Sequence, residues 1–567
     1  MSDTDPQKAG VFEKLGGFLV CRSKLVLACS LLFVIFASVV GGQVFARFDS
    51  GGYSNPNGDA IKVANYLKNE LKQTDPAVVV IVHSKNELID ESKVVASAAR
   101  LEAQLKGEPT TKEVRSYWSS GRPDSLKSKD GKSAYILVYL NTQDFTKVEE
   151  ASKSFQEKYD GTFENLDVYL TGTGIFAHAI NGKIKADLAV AESIAIPLTF
   201  ILLLIVFGSI VASATPLLIG GVAIPGTFLI LYLLTQVTEV SIFALNITTG
   251  LGLGLGVDYA LLMVNRFRDE LRTGKTKEAA VVEMMRTAGR TVFFSGLTVV
   301  LTLISMAFFP IGFLKSMGYA GASVVLIAVL AALIPLPAML ALLGKNIDKW
   351  KVRKKSIEPS TDGRWATIAR FVMRRPASVT VVTLGVLTLL ILPIKDVTFA
   401  QIDSRVLPKS DRAYVADQFV STNFAGEEAT PVEMLWKNGR ENLSAINAFT
   451  TTLESQQGID HVSQPQVFGD AVVVNAVHNV PAGSIEAQNL IKSIRNLPHP
   501  PGMLVGGFAA DYVDTQAGIR SMLPWVALWI ALTVLLLIFL FTGSILLPIK
   551  ALILNVISLA ATVGFLT

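Results

Sequence analysis

Nine long apolar segments constrain this sequence more than any other feature. Each holds 18 to 27 residues, and about twenty apolar residues span a bilayer as a helix. Half of the 567 residues are hydrophobic and only 17% are charged, which is the composition of a membrane protein. The predicted spans are Leu25–Val44, Leu188–Phe207, Pro216–Leu234, Ser241–Val264, Thr291–Phe309, Met317–Leu343, Ala377–Ile394, Met522–Phe541 and Pro548–Thr567.

Basic residues predict the orientation of these spans. They crowd the N-terminus and the connections after the fourth and sixth spans. Alternating spans place these three segments on one side of the membrane, which the positive-inside rule identifies as the cytoplasm. We therefore expect a cytoplasmic N-terminus and two extracytoplasmic polar regions. The net charge of +4 is too small to indicate a nucleic-acid partner.

The two long polar regions share one order of predicted elements. Strands and helices follow the order β-α-β-β-α-β between Ala77 and Leu170, and again between Val432 and Val505. This is the ferredoxin-like α+β arrangement. Three short segments also recur, namely Phe48–Ser50 as Ile402–Ser404, Leu170–Ala177 as Leu504–Ala509, and Phe207–Ile210 as Thr542–Ile545. We therefore predict an internal duplication, of a kind that transporters often contain.

The duplication divides the chain into eight predicted parts. They are a cytoplasmic N-terminus (1–24), a first span (25–45), a first outer domain (46–187), a five-span bundle (188–343), a cytoplasmic linker (344–376), a seventh span (377–394), a second outer domain (395–521) and the start of a second bundle (522–567). The second copy is expected to be incomplete, within a longer protein that has the counterpart of Asp258 at about position 593. A half-protein that recruits a partner is the alternative.

The fourth span carries the main candidate for function. Its segment Gly250–Tyr259 reads Gly-Leu-Gly-Leu-Gly-Leu-Gly-Val-Asp-Tyr, with one carboxylate at Asp258. Inserting a carboxylate into a membrane costs roughly 2.5–3.5 kcal/mol, so such a group is a candidate proton site. A structural carboxylate paired with a neighbouring helix is the alternative. Three glycines of this run, Gly252, Gly254 and Gly256, predict close packing against other helices.

Two further polar residues accompany Asp258. Tyr259 points about 100° round the helix from it, so its hydroxyl could pair with a carboxylate of the second repeat, or simply pack. Ser295 lies in the fifth span within about one turn of the same depth, which allows a hydrogen bond. A serine bonded to its own helix backbone is the alternative.

No enzymatic centre is predicted. The five histidines have no metal-ligand spacing, and no nucleotide or nucleophile motif has a suitable context. We therefore expect neither a metal nor a cofactor, and no enzymatic activity. Two cytoplasmic segments, Thr276–Met285 and Arg364–Met373, mix apolar and basic residues. We expect them to lie along the inner leaflet against anionic lipids, with solvated linkers as the alternative.

A family resemblance adds to these expectations. Gly252–Leu262 (Gly-Leu-Gly-Leu-Gly-Val-Asp-Tyr-Ala-Leu-Leu), followed by Asn265–Glu270, resembles the fourth-span motif of the MMPL transporters. These are mycobacterial-type proteins of the resistance-nodulation-division superfamily. The resemblance covers essentially the whole chain and implies twelve spans, two porter-like outer domains and a bacterial plasma membrane location. It matches Asp258, Tyr259 and Ser295 to a proton-relay network, although a second Asp-Tyr pair is absent from these 567 residues.

The resemblance implies proton-driven export of lipids, glycolipids or other hydrophobic molecules to the cell envelope. Its expected partners are a lipid or hydrophobic substrate, protons and anionic lipids, whereas a homo-oligomer or accessory envelope proteins are left open. Drug or siderophore efflux is one alternative. A non-pumping lipid sensor is another, because the second to sixth spans also resemble the sterol-sensing bundle. A protein-secretion accessory is the third.

Overall fold

The computed structural model describes residues 10–48, 51–73, 76–142, 144–352, 364–396, 404–424 and 430–566. Nine of the described helices are long and apolar enough to cross a membrane, and they coincide with the predicted spans. Parts of the recurring pair Phe48–Ser50 and Ile402–Ser404 lie outside the described residues. The described residues begin with a helix, α1 (Val11–Cys21), which is followed by a first membrane helix, α2 (Ser23–Gly41).

The first sheet domain follows the first span. The elements in this part of the sequence are α3 (Asp59–Asn69), β1 (Val78–His83), α4 (Ser92–Gly107), β2 (Thr111–Ser116), β3 (Ser133–Leu140), α5 (Phe145–Tyr159), β4 (Gly161–Phe163) and β5 (Leu166–Thr171). All neighbouring strands are antiparallel, in the order β2-β3-β1-β5-β4. The central strand β1 is fully buried from Val78 to Val82, so both faces of the sheet are covered. The predicted ferredoxin-like order is confirmed.

A bundle of membrane helices comes next. It comprises α6 (Thr173–Phe207), α7 (Ile210–Leu234), α8 (Ala244–Arg272), α9 (Lys277–Met284), α10 (Arg290–Ile304), α11 (Gly312–Leu333) and α12 (Pro335–Leu343). A π-helical turn at Met285–Gly289 joins α9 to α10. The predicted sixth span is broken between α11 and α12 at Pro335, because proline cannot donate a hydrogen bond to the preceding turn.

The second half repeats this plan. Its elements are α13 (Arg364–Arg374), α14 (Pro376–Ile391), α15 (Arg412–Asn423), β6 (Val432–Trp436), α16 (Leu443–Glu454), β7 (Ile459–Val462), β8 (Gln466–Phe468), β9 (Ala471–His478), α17 (Ile485–Asn496), β10 (Met503–Gly506), α18 (Phe508–Thr542) and α19 (Leu546–Phe565). The strand order β10-β6-β9-β7 is the topology of the first sheet. The short strands β4 and β8 were not predicted.

The long helices α6 and α18 show the duplication most directly. Both have 35 residues and lead from the last strand of a sheet domain through the membrane. Each follows a glycine with positive φ, Gly172 or Gly507, and ends at a left-handed glycine, Gly208 or Gly543. Both pairs are 335 positions apart. Glycine adopts this backbone conformation without strain, so the helix ends are fixed at equivalent positions in the two halves.

The two halves exchange one helix each. Although α3 follows the first span, its Val63 and Leu67 pack against Leu435 and Val473 of the second sheet. Reciprocally, α15 contributes Val420 to the core of the first domain, and the ring of Phe424, directly after α15, stacks on Tyr135 with 4.0 Å between centroids. Each sheet domain is therefore completed by a helix from the other half of the chain.

The two basic segments that were predicted to lie along the inner leaflet differ in their surroundings. The first, predicted as Thr276–Met285, buries Ala280, Val281 and Met284 completely within the bundle. Helix α1 covers it, and a Cβ built on Gly16 would lie 3.2 Å from Val282. This segment therefore packs its apolar side on protein rather than on lipid. In the second segment, Phe371 and Met373 are exposed, and its contact with anionic lipid stays a prediction.

Candidate functional site

The glycine-rich helix α8 is held closely by two neighbours. A Cβ on Gly252 would lie 3.0 Å from Val324 of α11 and 3.1 Å from Ile224 of α7. One on Gly256 would lie 3.4 Å from the backbone of Gly220. Since both positions are buried, added side chains would force these helices apart. Gly252 and Gly256 therefore let α8 lie close to α7 and α11.

Asp258 lies on the other side of the same helix. It is exposed, as are Gly254 and Leu262, which share its face as the helical spacing requires. No described atom comes within 4 Å of a Cβ built on Gly254, so the close packing predicted for this glycine is not made by the described residues. The carboxylate has no hydrogen bond or ion pair with another described residue. A site for a proton or for a further partner is thus open on this face.

Tyr259 points into the bundle instead. Its ring is only 5% exposed, and its buried hydroxyl has no hydrogen-bond partner among the described residues. The oxygen lies 3.2 Å from the position of a Cβ on Gly296 in α10. The hydroxyl thus faces α10 and points away from the side of Asp258, and its pairing with a carboxylate of the second repeat stays a prediction.

Ser295 is the neighbour of Gly296 in α10, and it is exposed. Its hydroxyl makes no hydrogen bond with Asp258, nor with the backbone of its own helix, in the described part of the chain. The structure therefore brings Tyr259 to the α10 segment that contains Ser295, but it does not join Ser295 to Asp258 directly. A relay through these three residues would need water or side-chain movement.

The C-terminal part of α8 is anchored to the end of α6 and to the segment after α12. Arg268 donates a hydrogen bond of 2.9 Å to the carbonyl oxygen of Phe207, the last residue of α6, and pairs with Asp348. Its guanidinium carbon lies 5.8 Å from the centroid of the Phe207 ring. Ser209 adds a hydrogen bond of 2.9 Å to the carbonyl of Ile347. These contacts fix the end of α6 relative to the helix that carries Asp258.

A second intramembrane carboxylate, Glu192, was missed in the sequence. It lies in α6 within the predicted span Leu188–Phe207, and its Oε1 accepts a hydrogen bond of 2.8 Å from the hydroxyl of Thr249 in α8. The available signal was the same as for Asp258, namely one carboxylate within an apolar run. The partner and the adjoining cavity, however, become visible only when α6 and α8 are brought together.

A polar cavity lies at the seam between the two sheet domains. Its volume is about 460 Å³. Its polar lining includes Lys68, Lys72, Lys112, Arg115, Tyr139, Glu433, Gln466 and Asn475, which come from both halves of the chain. Arg115 donates a hydrogen bond of 2.7 Å to Glu113, which holds the pKa of Glu113 below its ordinary value.

Two smaller cavities, of about 200 and 170 Å³, continue along the seam and share Thr430. The seam leaves polar atoms without partners. The Asn475 side-chain oxygen, the Thr430 hydroxyl and one Asp511 carboxylate oxygen are buried and have no described hydrogen-bond partner. Each lines one or more of the three cavities. Buried polar atoms are normally hydrogen-bonded, so these cavities suit water or a polar ligand.

Among the described residues no group of acidic, histidine and cysteine side chains is arranged to hold a metal ion.

The kind of protein follows from comparison with known families. Residues 53–379, more than half of the chain, match the model of the MMPL family. The chain belongs to the MMPL family. The match contains the first sheet domain, the bundle with Asp258, and the linker as far as α14. This MMPL chain is therefore a multi-pass membrane protein, as the nine apolar helices indicate.

Several curated proteins are similar to most of this chain. The membrane protein SCO6666 of Streptomyces coelicolor is 32% identical over 543 residues, which cover 94% of this chain and 74% of that protein. The trehalose monomycolate exporter MmpL3 of Mycolicibacterium smegmatis is 29% identical, covering 78% and 48% respectively. The mycolic acid-containing lipids exporter MmpL11 of the same organism is 25% identical, covering 95% of this chain and 59% of that protein. The chain thus spans about half the length of the named exporters.

A solved structure shows the same fold. The hedgehog release protein Disp from the water bear Hypsibius dujardini superposes with a TM-score of 0.62, over 98% of this chain and 86% of that protein. The two sequences are only 14% identical, so the likeness concerns architecture. It supports two sheet domains set on a bundle of membrane helices.

Proposed function

We propose that this MMPL protein exports lipids or other hydrophobic solutes to the cell envelope, driven by the proton-motive force. The named relatives are exporters of trehalose monomycolate and of mycolic acid-containing lipids, which supports a lipid substrate. The basic segments favour a cytoplasmic N-terminus, with the sheet domains outside. The plasma membrane of a bacterium is the compartment that this arrangement requires.

The position of Asp258 carries the proton part of the proposal. The residue lies in a membrane helix on a face where no described side chain neutralises it, while the opposite face of that helix is locked by Gly252 and Gly256. Keeping an unpaired carboxylate at this depth costs free energy, so a use for its charge is expected. Each proton that enters down a potential of about 100 mV supplies about 2.3 kcal/mol.

The long helix α6 supplies a route from the membrane to the sheet domains. It is continuous from Thr173, at the first sheet, to Phe207, where Arg268 of α8 holds it. A shift of α8 that follows protonation of Asp258 would thereby reach the first sheet domain. The polar seam cavities are where we expect the headgroup of a substrate to bind during transfer, because their unpaired polar atoms can accept or donate hydrogen bonds.

Replacing the carboxylate tests the proposal. We expect Asp258→Asn in the native protein to abolish export, since an amide cannot take up and release a proton. The measurement is the extracellular and cellular lipid pools of a deletion strain that is complemented with each variant. Asp269→Asn, at the exposed end of the same helix, is the matched control and should export normally. Normal export by Asp258→Asn would overturn the proton assignment.

A further inference from the structure

A further cavity, separate from those at the seam, lies among the membrane helices at the end of the bundle nearest the sheet domains. Its volume is about 340 Å³, within the range of cavities that bind small molecules. The walls are mostly apolar and come from four parts of the first half: the end of the first span, α6, α7 and the start of α8. The apolar lining consists of Phe45, Ile184, Leu188, Ala189, Phe228, Ile242, Phe243 and Leu245.

The cavity has a polar end that contains both a carboxylate and an ammonium group. Glu192 contributes a carboxylate, whose Oε1 accepts from Thr249 at 2.8 Å. Its second oxygen has no described partner. Lys185 contributes an ammonium group, which lies 4.0 Å from Glu149 of α5. The amide of Asn181 donates to the same Glu149 at 2.8 Å. A carboxylate from the sheet domain therefore orients two of the polar groups that line this cavity.

The second repeat shows that the fold does not need Glu192. Counting 335 positions along the duplication, Lys185 corresponds to Arg520 and Asn181 to Gln516, so both polar types are kept. Glu192 corresponds to Ala527. Helix α18 has the same length and the same glycine boundaries as α6 without this carboxylate. Since a carboxylate in a span is costly, its presence in the first repeat alone points to a ligand rather than to a structural role.

We propose that this cavity binds the headgroup of a membrane amphiphile that is uncharged and carries hydroxyl groups. Glu192 accepts a hydrogen bond from a hydroxyl, and Lys185 donates one to a hydroxyl or ether oxygen. A phosphate would be repelled by Glu192 and Glu149, because the charge of Lys185 is already offset by Glu149 at 4.0 Å. A quaternary ammonium group has no hydrogen to donate to Glu192. The carboxamides of Asn181 and Asn246 can both donate and accept, which suits a polyol that does the same.

The surroundings of the cavity allow the amphiphile to enter from the bilayer. The Phe45 side chain is 55% exposed, and Val190 and Ile194 of α6 present more than half of their surface. An acyl or alkyl chain can therefore stay among lipids while its headgroup enters the polar end. Binding of the amphiphile at this site needs no proton gradient. Only the later transport of the bound amphiphile rests on the proposed export function.

Photolabelling of the full chain in lipid nanodiscs tests the site. The probes are dodecyl glucoside and dodecylphosphocholine, each carrying the same diazirine in its chain, and the labelled peptides are identified by mass spectrometry. We expect the glucoside to label the peptides around Leu188 and Phe243 in a saturable manner. Loss of a hydrogen bond to a charged group should lower this labelling about tenfold in Glu192→Ala. Glu192→Gln should keep part of it, because an amide oxygen still accepts.

Two controls separate the possible outcomes. Glu239→Ala removes an exposed carboxylate at the same end of the bundle, outside the cavity, and should not change the labelling. Asp258→Asn should label normally even if it no longer exports, so that a failure of the proton proposal is distinguished from a failure of this one. Equal labelling by the phosphocholine probe, or undiminished labelling in both Glu192 variants, would overturn the site.

Discussion

Because Gly296 has no side chain, α10 can pack closely against α11 and against the Tyr259 hydroxyl of α8. A Cβ at this position would lie 2.1 Å from Val329 of α11 and 3.2 Å from the tyrosine oxygen. The first distance is far inside van der Waals contact, so α10 and α11 could not keep their present separation. Gly296 therefore determines how closely the helix of Ser295 approaches the helix of Asp258 and Tyr259.

We expect Gly296→Ala to lower the free energy of unfolding by about 1–3 kcal/mol, the usual cost of overpacking. Thermal unfolding of the purified protein in detergent measures this effect. Gly182→Ala in α6 is the matched control, because nothing lies within 4 Å of a Cβ there. It should leave the unfolding midpoint unchanged or raise it slightly, since alanine favours a helix. Equal midpoints for the two variants would contradict the packing argument.

At the scale of the elements, Asp514 ties the exchanged helix α3 to the second half. Its Oδ2 accepts a hydrogen bond of 2.9 Å from the backbone of Ala60, in the first turn of α3, and its Oδ1 pairs with Arg495 at 2.6 Å. A carboxylate at a helix N-terminus satisfies an otherwise free N–H group. Here this stabilising group comes from α18, a membrane-crossing helix more than 400 residues later in the chain.

Removing this carboxylate should loosen α3 selectively. We expect Asp514→Ala to leave Arg495 without its partner and to speed amide hydrogen exchange in residues 59–69 by about tenfold or more. Exchange in β1 and β3 should stay as slow as in the unchanged protein, because those strands do not contact Asp514. Lys62→Gln, which removes only the exposed pair with Asp59, is the control. A uniform increase in exchange across both sheet domains would contradict this role.

Much of the order of helices and strands could be predicted, because it depends on local sequence patterns. Span lengths follow from hydropathy, and the β-α-β-β-α-β order follows from β-branched runs that alternate with amphipathic segments. The helices α3 and α15 were not predicted, and their exchange could not be, since the sequence does not show which sheet buries Val63 or Val420. Glu192 and Gly296 were missed for a related reason. Their roles depend on neighbours from helices that are distant in sequence.

For the whole molecule, the basic segments meet at one end of the bundle. Helix α1 packs on α9, while the side chain of Lys277 lies next to Gly344, beyond α12. Arg268 and Asp348 join the segments after the fourth and sixth spans. The three basic regions therefore lie together at the end opposite the sheet domains. The prediction that they share one side agrees with this arrangement, and the positive-inside rule names that side as the cytoplasm.

Cysteine labelling in intact cells can test this orientation. The chain has two cysteines, Cys21 and Cys29, which would first be replaced by serine. A single cysteine at Ser120, exposed on the first sheet domain, should react with a membrane-impermeant maleimide in intact cells. One at Ala279, exposed at the basic end, should react only after the cells are opened. Labelling of a cysteine at position 279 in intact cells would show that the orientation is the reverse of the predicted one. It would also place the polar seam cavities in the cytoplasm, where they could not receive an exported lipid.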